Sequence, residues 1–424
     1  MIRKLFCWRK LWKHKITIAT ITSIVTLAYL TLISNQVQKK QNIHKRNAQF
    51  KRNHKSVEEH IEFKDNNVDS RGQHYIHTIY SKSALNVDVK DVTLSVHLGI
   101  NELPLLSRLA ATWSCPISSA VFVDEAGYQT ILKTFLGCHV SLFKHVTIRM
   151  VRPVLKSDLK LGVLSQETKK LVDSPPYGED ICKRFDHLFE SSETNSYPVN
   201  LIRNIAMDGA RTRFVLNSDV TFLPSKGACN ELKEFLNTQF SDFETFDTPP
   251  KRAFVLPVYE IDAKLGLDST SLTKQQLLSL WSRQKARPYL ESACQDCHKN
   301  TDHSRWQEQK AQNAVYLVQW SHPYEPYFVA MREALPRFDE RFESRGHDRL
   351  SQTCEMFMSD WEFYVLGTSF LVHPGFVQSH SNLEIDSLHQ MSQAADQYND
   401  FIKLMNKKYP TSNRTCEIPL KFTL

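Results

Sequence analysis

From residue 92 onward, apolar and polar positions alternate between two periods. Val92-Thr-Leu-Ser-Val-His-Leu places apolar residues at every second position and reads as a strand. Residues 103–113 carry apolar positions at helical spacing, and 117–123 return to a strand pattern. The same reading gives a helix over 126–135, a strand over 146–151, and then a loop-rich interval. A helix is predicted over 198–207, with Pro198 in the tolerated first turn. A strand over 213–217 and a helix over 232–237 follow. Strands alternating with helices at these spacings predict an α/β sheet with parallel strands. Beyond it, 254–259 reads as a strand and 274–281 as a helix, and from 315 to the end the pattern continues as one domain. No fixed-period repeat is present.

The most informative stretch is 211–227. Phe214, Val215 and Leu216 form a buried-strand pattern that runs into the acid Asp219, and Pro224 stops the next apolar run. A strand that delivers a carboxylate to the carboxyl edge of an open α/β sheet delivers it where such sheets bind ligands.

The amino end follows a different pattern. Residues 16–34 are nineteen uncharged positions, enough to span a hydrocarbon core as a helix, although five threonines temper their hydrophobicity. Six Lys and Arg precede the run, which orients it with residues 1–15 in the cytosol. Lys39, Lys40, Lys45 and Arg46 follow closely and oppose that orientation. A cleaved signal peptide is the rival reading, but the run is long for one and ends in a poor cleavage site. Residues 35–90 are polar and read as a stem, leaving 91–424 as the folded domain.

Composition then narrows the function. The 424 residues are 41% apolar and 23% charged, as in a globular protein. The net charge of +7 is misleading, because residues 1–55 hold thirteen basic and no acidic residues. The remainder has 40 basic against 46 acidic residues, which argues against a nucleic-acid-binding domain. Cys7 falls on the cytosolic side, and the other eight cysteines are an even number suited to disulfides in an oxidising lumen. Cys294-Gln-Asp-Cys297-His298 formally matches a haem attachment signature, but a structural disulfide is the expected use, with zinc through His298 and His303 a minor option. Asn413-Arg-Thr415 is a glycosylation sequon.

Several segments carry a family resemblance: Tyr197-Pro-Val-Asn-Leu-Ile-Arg-Asn204, Ser218-Asp-Val-Thr-Phe-Leu-Pro-Ser225, Cys294–His298 with Ser304-Arg-Trp306, and Trp320-Ser-His-Pro-Tyr-Glu-Pro-Tyr327. Phe338-Asp-Glu-Arg-Phe342, Gly346-His-Asp-Arg-Leu-Ser-Gln352 and Phe370-Leu-Val-His-Pro-Gly-Phe376 complete the set. In order and spacing over about 92–416, the chain resembles glycosyltransferase family 49, whose members include β-1,4-glucuronyltransferases and the second catalytic domain of LARGE. The resemblance implies a GT-A-like, Rossmann-related domain behind a single-pass type II signal anchor in the Golgi membrane. It also implies a UDP-sugar donor, a glycan or glycoprotein acceptor, a divalent cation such as Mn2+, and inversion at the anomeric carbon. A homodimer or a complex of Golgi transferases is the assembly such an enzyme would form.

The family pattern has Asp-x-Asp where this chain has Asp219-Val-Thr221. Carboxylate oxygens hold the hard cation that neutralises a leaving diphosphate. Asp219, Thr221 and the late His373 are therefore the candidate metal residues, with Thr221 bringing an oxygen but no charge. Arg203 and Asn204, on a proline-started helix, together with Ser218 and Arg349 are candidates for nucleotide binding. Inversion needs a base for the acceptor hydroxyl. Asp348 is the first candidate, with Asp339, Glu340 and Glu362 as alternatives; an ion-paired helix start is the plainer reading of Asp339-Glu340-Arg341. Trp320, Tyr324 and Tyr327 can stack on sugars, though such aromatics serve as core at least as often. The missing second acid also supports an alternative: an inactive relative that binds a glycan or a partner protein.

Overall fold

The computed structural model describes residues 61–69, 71–81, 86–123, 144–154, 197–241, 248–266, 272–310, 314–343, 346–378 and 385–416. The chain divides into Met1–Ser56 and Val57–Leu424, and all described residues belong to the second unit. The expected membrane span, 16–34, lies outside them, as do Cys7, Cys138, Cys182 and the helix expected over 126–135. Among the described residues no helix is long and apolar enough to cross a membrane.

Fourteen strands are described: β1 Ile61–Val68, β2 His74–Ser81, β3 Val92–Gly99, β4 Ile117–Phe122, β5 Val146–Pro153, β6 Phe214–Asp219, β7 Leu223–Pro224, β8 Arg252–Leu256, β9 Val258–Ile261, β10 Ala286–Pro288, β11 Val315–Val318, β12 Tyr327–Met331, β13 Glu362–Leu366 and β14 Leu371–Pro374. The helices are α1 Leu103–Thr112, α2 Val199–Asp208, α3 Ala228–Gln239, α4 Lys274–Ser282, α5 His303–Glu308, α6 Asp348–Met358 and α7 Ile385–Lys408.

Ten strands form one sheet in the order β1-β2-β5-β4-β3-β6-β12-β8-β13-β11. The block β5-β4-β3-β6 is parallel, as the alternation of strands and helices predicts. The sheet as a whole is mixed, because β12 enters antiparallel between β6 and β8. At the far edge β2 pairs antiparallel with β5, and β1 with β2. The folded body thus begins inside the stretch read from sequence as a stem.

The period-2 patterns determine which side chains face the core. Val92, Leu94, Val96 and Leu98 of β3 join Phe214 and Leu216 of β6 and Phe254 and Leu256 of β8 in one core, closed by Leu232, Phe235 and Leu236 of α3. Each such side chain contributes about 1.5–3 kcal/mol on full burial. On the opposite face α2 lays Leu201, Ile202 and Ile205 against Ala120, Phe122 and Val151. Thr93, Ser95 and His97 of β3 belong to this second face by alternation. Cys115–Cys229 and Cys354–Cys416 are disulfides.

The chain leaves the large sheet at its carboxyl edge in a repeated way. β6, β8 and β13 lead respectively into β7, β9 and β14, which with β10 form a four-stranded sheet in the order β10-β9-β14-β7. Asp219, the last residue of β6, sits where the chain passes from one sheet to the other.

Candidate active site

Register brings the first two groups together. β3 and β6 are parallel neighbours, and His97 lies opposite Asp219. Both follow the alternation onto the α2 face, and His97 Nε2 reaches Asp219 Oδ1 at 2.8 Å. A carboxylate only accepts, so Nε2 carries the proton. Nδ1 is then the acceptor for the Tyr197 hydroxyl, 2.8 Å away. Burial lowers the His97 pKa more than the bond to Asp219 raises it, and the ring stays neutral.

Three further donors converge on the same carboxylate. Tyr327, at the start of β12, donates its hydroxyl to Asp219 Oδ2 at 2.6 Å. Arg349 Nη2 is 3.1 Å and Arg203 Nη2 3.4 Å from Oδ1. The Arg349 guanidinium lies over the Tyr327 ring, 4.0 Å from its centroid. Burial alone would raise the Asp219 pKa, but Arg349, the His97 bond and Arg203 together hold it well below the usual carboxylate range.

Arg203 extends the cluster to Asp348 at the start of α6. Its Nη1 donates to Asp348 Oδ2 at 2.5 Å and to Asn200 Oδ1 at 3.0 Å. Asp348 Oδ1 accepts the Gly346 amide at 3.0 Å. Burial would raise this acid as well, but Arg203, Arg349 and the amide leave its pKa lowered. With both oxygens engaged and its proton affinity reduced, Asp348 is built to position Arg203 rather than to take a proton.

A different carboxyl has its proton affinity raised. Glu325, two residues before β12, has its amide bonded to the Cys297 carbonyl at 3.0 Å. Burial, then the charge of Asp348, push its pKa up to about 8 against the opposing pull of Arg349 and Arg203; Asp219 adds to the rise. The loop that holds Glu325 is closed by a Cys294–Cys297 disulfide, as expected, so neither sulfur is available to haem or zinc. His298 follows it, buried and kept neutral with a pKa near 3 by burial and by His303 and Arg349. Its ring stacks towards Tyr327 at 6.3 Å and contacts Tyr289 at 5.4 Å.

The other expected site residues fall in three places. Thr221 is half-buried in the turn closed by the Phe222 amide to the Asp219 carbonyl, 3.1 Å. His373 is linked to the cluster through aromatic rings: it lies 5.5 Å from Phe222, which packs on Tyr327 at 4.6 Å. Its Nδ1 donates to the Gly375 carbonyl at 3.0 Å. Asn204, Asp339 and Glu340 tie α2 to the 336–343 segment. Asn204 donates to the Phe338 carbonyl and to Glu340, each at 2.9 Å, and accepts the Phe338 amide at 3.0 Å. Asp339 is ion-paired with Arg341, the plainer reading. Ser218 is buried, and its hydroxyl faces the Asp219 carbonyl at 3.3 Å.

These placements correct one expectation and decide between two readings left open for a pair of aromatics. Glu362 is in register with Arg252 at the amino edge of β8, the opposite end of the sheet from Asp219, so it cannot share the site. Trp320 and Tyr324 are core: Trp320 donates to the Tyr324 carbonyl at 3.0 Å, and the Tyr324 hydroxyl pairs with Thr301 at 3.0 Å.

The donor set does not fit a divalent cation. Among the described residues no group of three or more His, Cys, Asp or Glu is placed to hold a metal ion. Asp219 already accepts from four donors, and the two carboxylates of the cluster are matched by two guanidiniums. At an effective dielectric of about 20, each unit charge roughly 5 Å from a divalent ion contributes about 7 kcal/mol, so balanced charges leave little net attraction. Thr221 adds none.

Sequence comparison gives this geometry its context. The profile of a family described as glycosyl-transferase for dystroglycan matches residues 91–410. The chain belongs to this family. As a member of it, the protein is a glycosyltransferase. It is 31% identical over 375 residues to β-1,4-glucuronyltransferase 1 of Bos taurus, covering 82% of this chain and 83% of that protein. It is 25% identical over 301 residues to the xylosyl- and glucuronyltransferase LARGE1 of Homo sapiens, covering 71% of this chain and 33% of that one. Among solved structures, GalNAc-T7 with UDP, GalNAc and Mn2+ aligns over 77% of this chain and 52% of its own at 10% identity, with a TM-score of 0.35, too distant to inform the site.

Proposed function

We propose that the chain transfers a sugar, with glucuronic acid the first candidate, from a UDP donor to a glycan hydroxyl with inversion. The observation that carries this reading is a half-buried carboxyl, Glu325, held with raised proton affinity beside an Asp–Arg cluster at the carboxyl edge of the sheet in a glycosyltransferase chain. In one displacement the acceptor oxygen forms the new bond to the anomeric carbon. Its proton passes to Glu325, the bond to the diphosphate oxygen breaks, and the electron pair leaves with UDP. A base is most effective when its pKa lies near the working pH, which Glu325 meets and Asp348 does not. Arg203 and Asp348 brace the cluster, while His97 and Tyr327 orient Asp219.

The domain that carries this chemistry is read as GT-A-like, since the acid ends a strand at the carboxyl edge of a mixed α/β sheet. The uncharged run 16–34, with basic residues before it, supports a type II anchor and a lumenal, Golgi-resident body. Asn413 and Thr415 of the sequon are exposed, as lumenal glycosylation requires. No step is assigned to a divalent cation, because the donor set at Asp219 does not fit one.

The test is a donor screen. Purified full-length chain in detergent is offered a panel of UDP-sugars and glycan acceptors, and UDP release and product are measured. Transfer from one donor is the expected result. No transfer from any of them contradicts the reading and favours the inactive, glycan-binding or partner-binding alternative.

A further inference from the structure

We propose that the leaving diphosphate is met in this protein by the guanidinium of Arg349, in a site that needs no divalent cation. The proposal rests on the UDP-donor reading above and specifies how that donor is held.

Three observations lead to Arg349. Arg203 is anchored on three sides, by Asn200, Asp348 and Asp219, and cannot turn to a ligand without breaking the brace between β6 and α6. Arg349 makes a single hydrogen bond among the described residues, from Nη2 to Asp219. A guanidinium has five N–H donors, so most of those on Arg349 are unused although its side chain is 4% exposed. Asp219 does not need Arg349 to stay satisfied, since His97, Tyr327 and Arg203 still donate to it. Asp219 can therefore release one edge of the Arg349 fork to two phosphate oxygens, the bidentate geometry that suits arginine. The Tyr327 ring beneath the guanidinium fixes its plane throughout.

The same residues disfavour the alternative. A cation bridging Asp219 to the diphosphate would sit between two guanidiniums, and the position that could supply a second carboxylate is Thr221. What Arg349 offers the diphosphate in place of a metal is a set of N–H donors that its one bond to Asp219 leaves unused.

Calorimetric titration of UDP into the full-length chain in detergent, once in EDTA and once in manganese chloride, decides the question. The proposal expects the two dissociation constants to agree within about twofold, and Arg349→Gln to weaken binding in EDTA at least tenfold. Should Arg349→Gln fail to fold, the wild-type pair of titrations decides alone. Manganese tightening wild-type UDP binding tenfold or more would overturn the arginine site and leave the transferase reading standing. Failure to bind UDP in either buffer would overturn both.

Discussion

Replacing Glu325 by Gln removes a proton acceptor and leaves the volume unchanged, which makes it the sharpest perturbation of the site. General base catalysis contributes roughly 10²- to 10⁴-fold, or about 3–5 kcal/mol of barrier at 1.36 kcal/mol per decade. The environment of Glu325 sets the pH dependence. Burial and the charge of Asp348 raise its pKa to about 8, with Asp219 adding to the rise and Arg349 and Arg203 opposing it. At pH 7 roughly one tenth of the enzyme then carries the active carboxylate. Wild-type kcat/KM is expected to climb about tenfold per pH unit below pH 8 and to level off above it. Glu325→Gln should lose at least 10²-fold at pH 8 and show a flattened profile. The stability readout runs the other way. A carboxyl whose folded pKa is raised above its unfolded value weakens the fold as pH rises between the two values, and Gln has no such penalty. The variant's Tm at pH 8 should therefore equal or exceed that of the wild type. A wild-type profile flat from pH 6 to 9, or a variant within threefold of wild-type activity, would refute the assignment.

Asp219→Asn should destabilise the fold by about 3–5 kcal/mol, because Arg349 loses its counter-ion in a buried site while Arg203 keeps Asp348. Chemical denaturation across pH checks the sign: the folded pKa of Asp219 is depressed, so its stabilisation is present above the ordinary carboxylate value and lost as pH falls through the folded one. Thr221→Asp restores a second acid in the turn beside Asp219, and manganese binding, followed by calorimetry, should tighten relative to wild type. An unchanged or weaker affinity would argue against placing the two-acid motif at 219–221. Expression of Asn413→Gln in a secretory cell line should abolish the mobility shift that an N-glycosidase produces on wild type; a wild type with no shift would contradict a lumenal body.

Much of the framework is legible in sequence because buried parallel strands leave a strong pattern. β3, β4, β5 and β6 were all predicted near their observed positions, and with them the placement of Asp219 at a strand end. β1 is the edge strand beside β2, and a register shift between Lys64 and Asn67 interrupts the alternation that would have marked β1. Sequence also singled out Arg203, Arg349 and Asp348, but the Arg203–Asp348 ion pair forms across 145 residues and has no local signature. His97 was visible as the last polar residue of an alternating strand; its role depends on the register of β3 against β6. Glu325 has no period at all. It lies between Tyr324 and Pro326 in an aromatic segment, and its environment is set by the 294–298 loop and by α6. The one legible sign was an acid inside an otherwise core-like run.

The central claim is a single displacement at the anomeric carbon with Glu325 taking the acceptor proton. Its most direct test follows the first turnovers of the full-length enzyme by proton NMR, using the α-linked UDP-sugar that the donor screen selects. The claim predicts that the first-formed anomeric signal belongs to the β-linked product, and that Glu325→Gln forms it at least 10²-fold more slowly. An α-linked first product would contradict the claim.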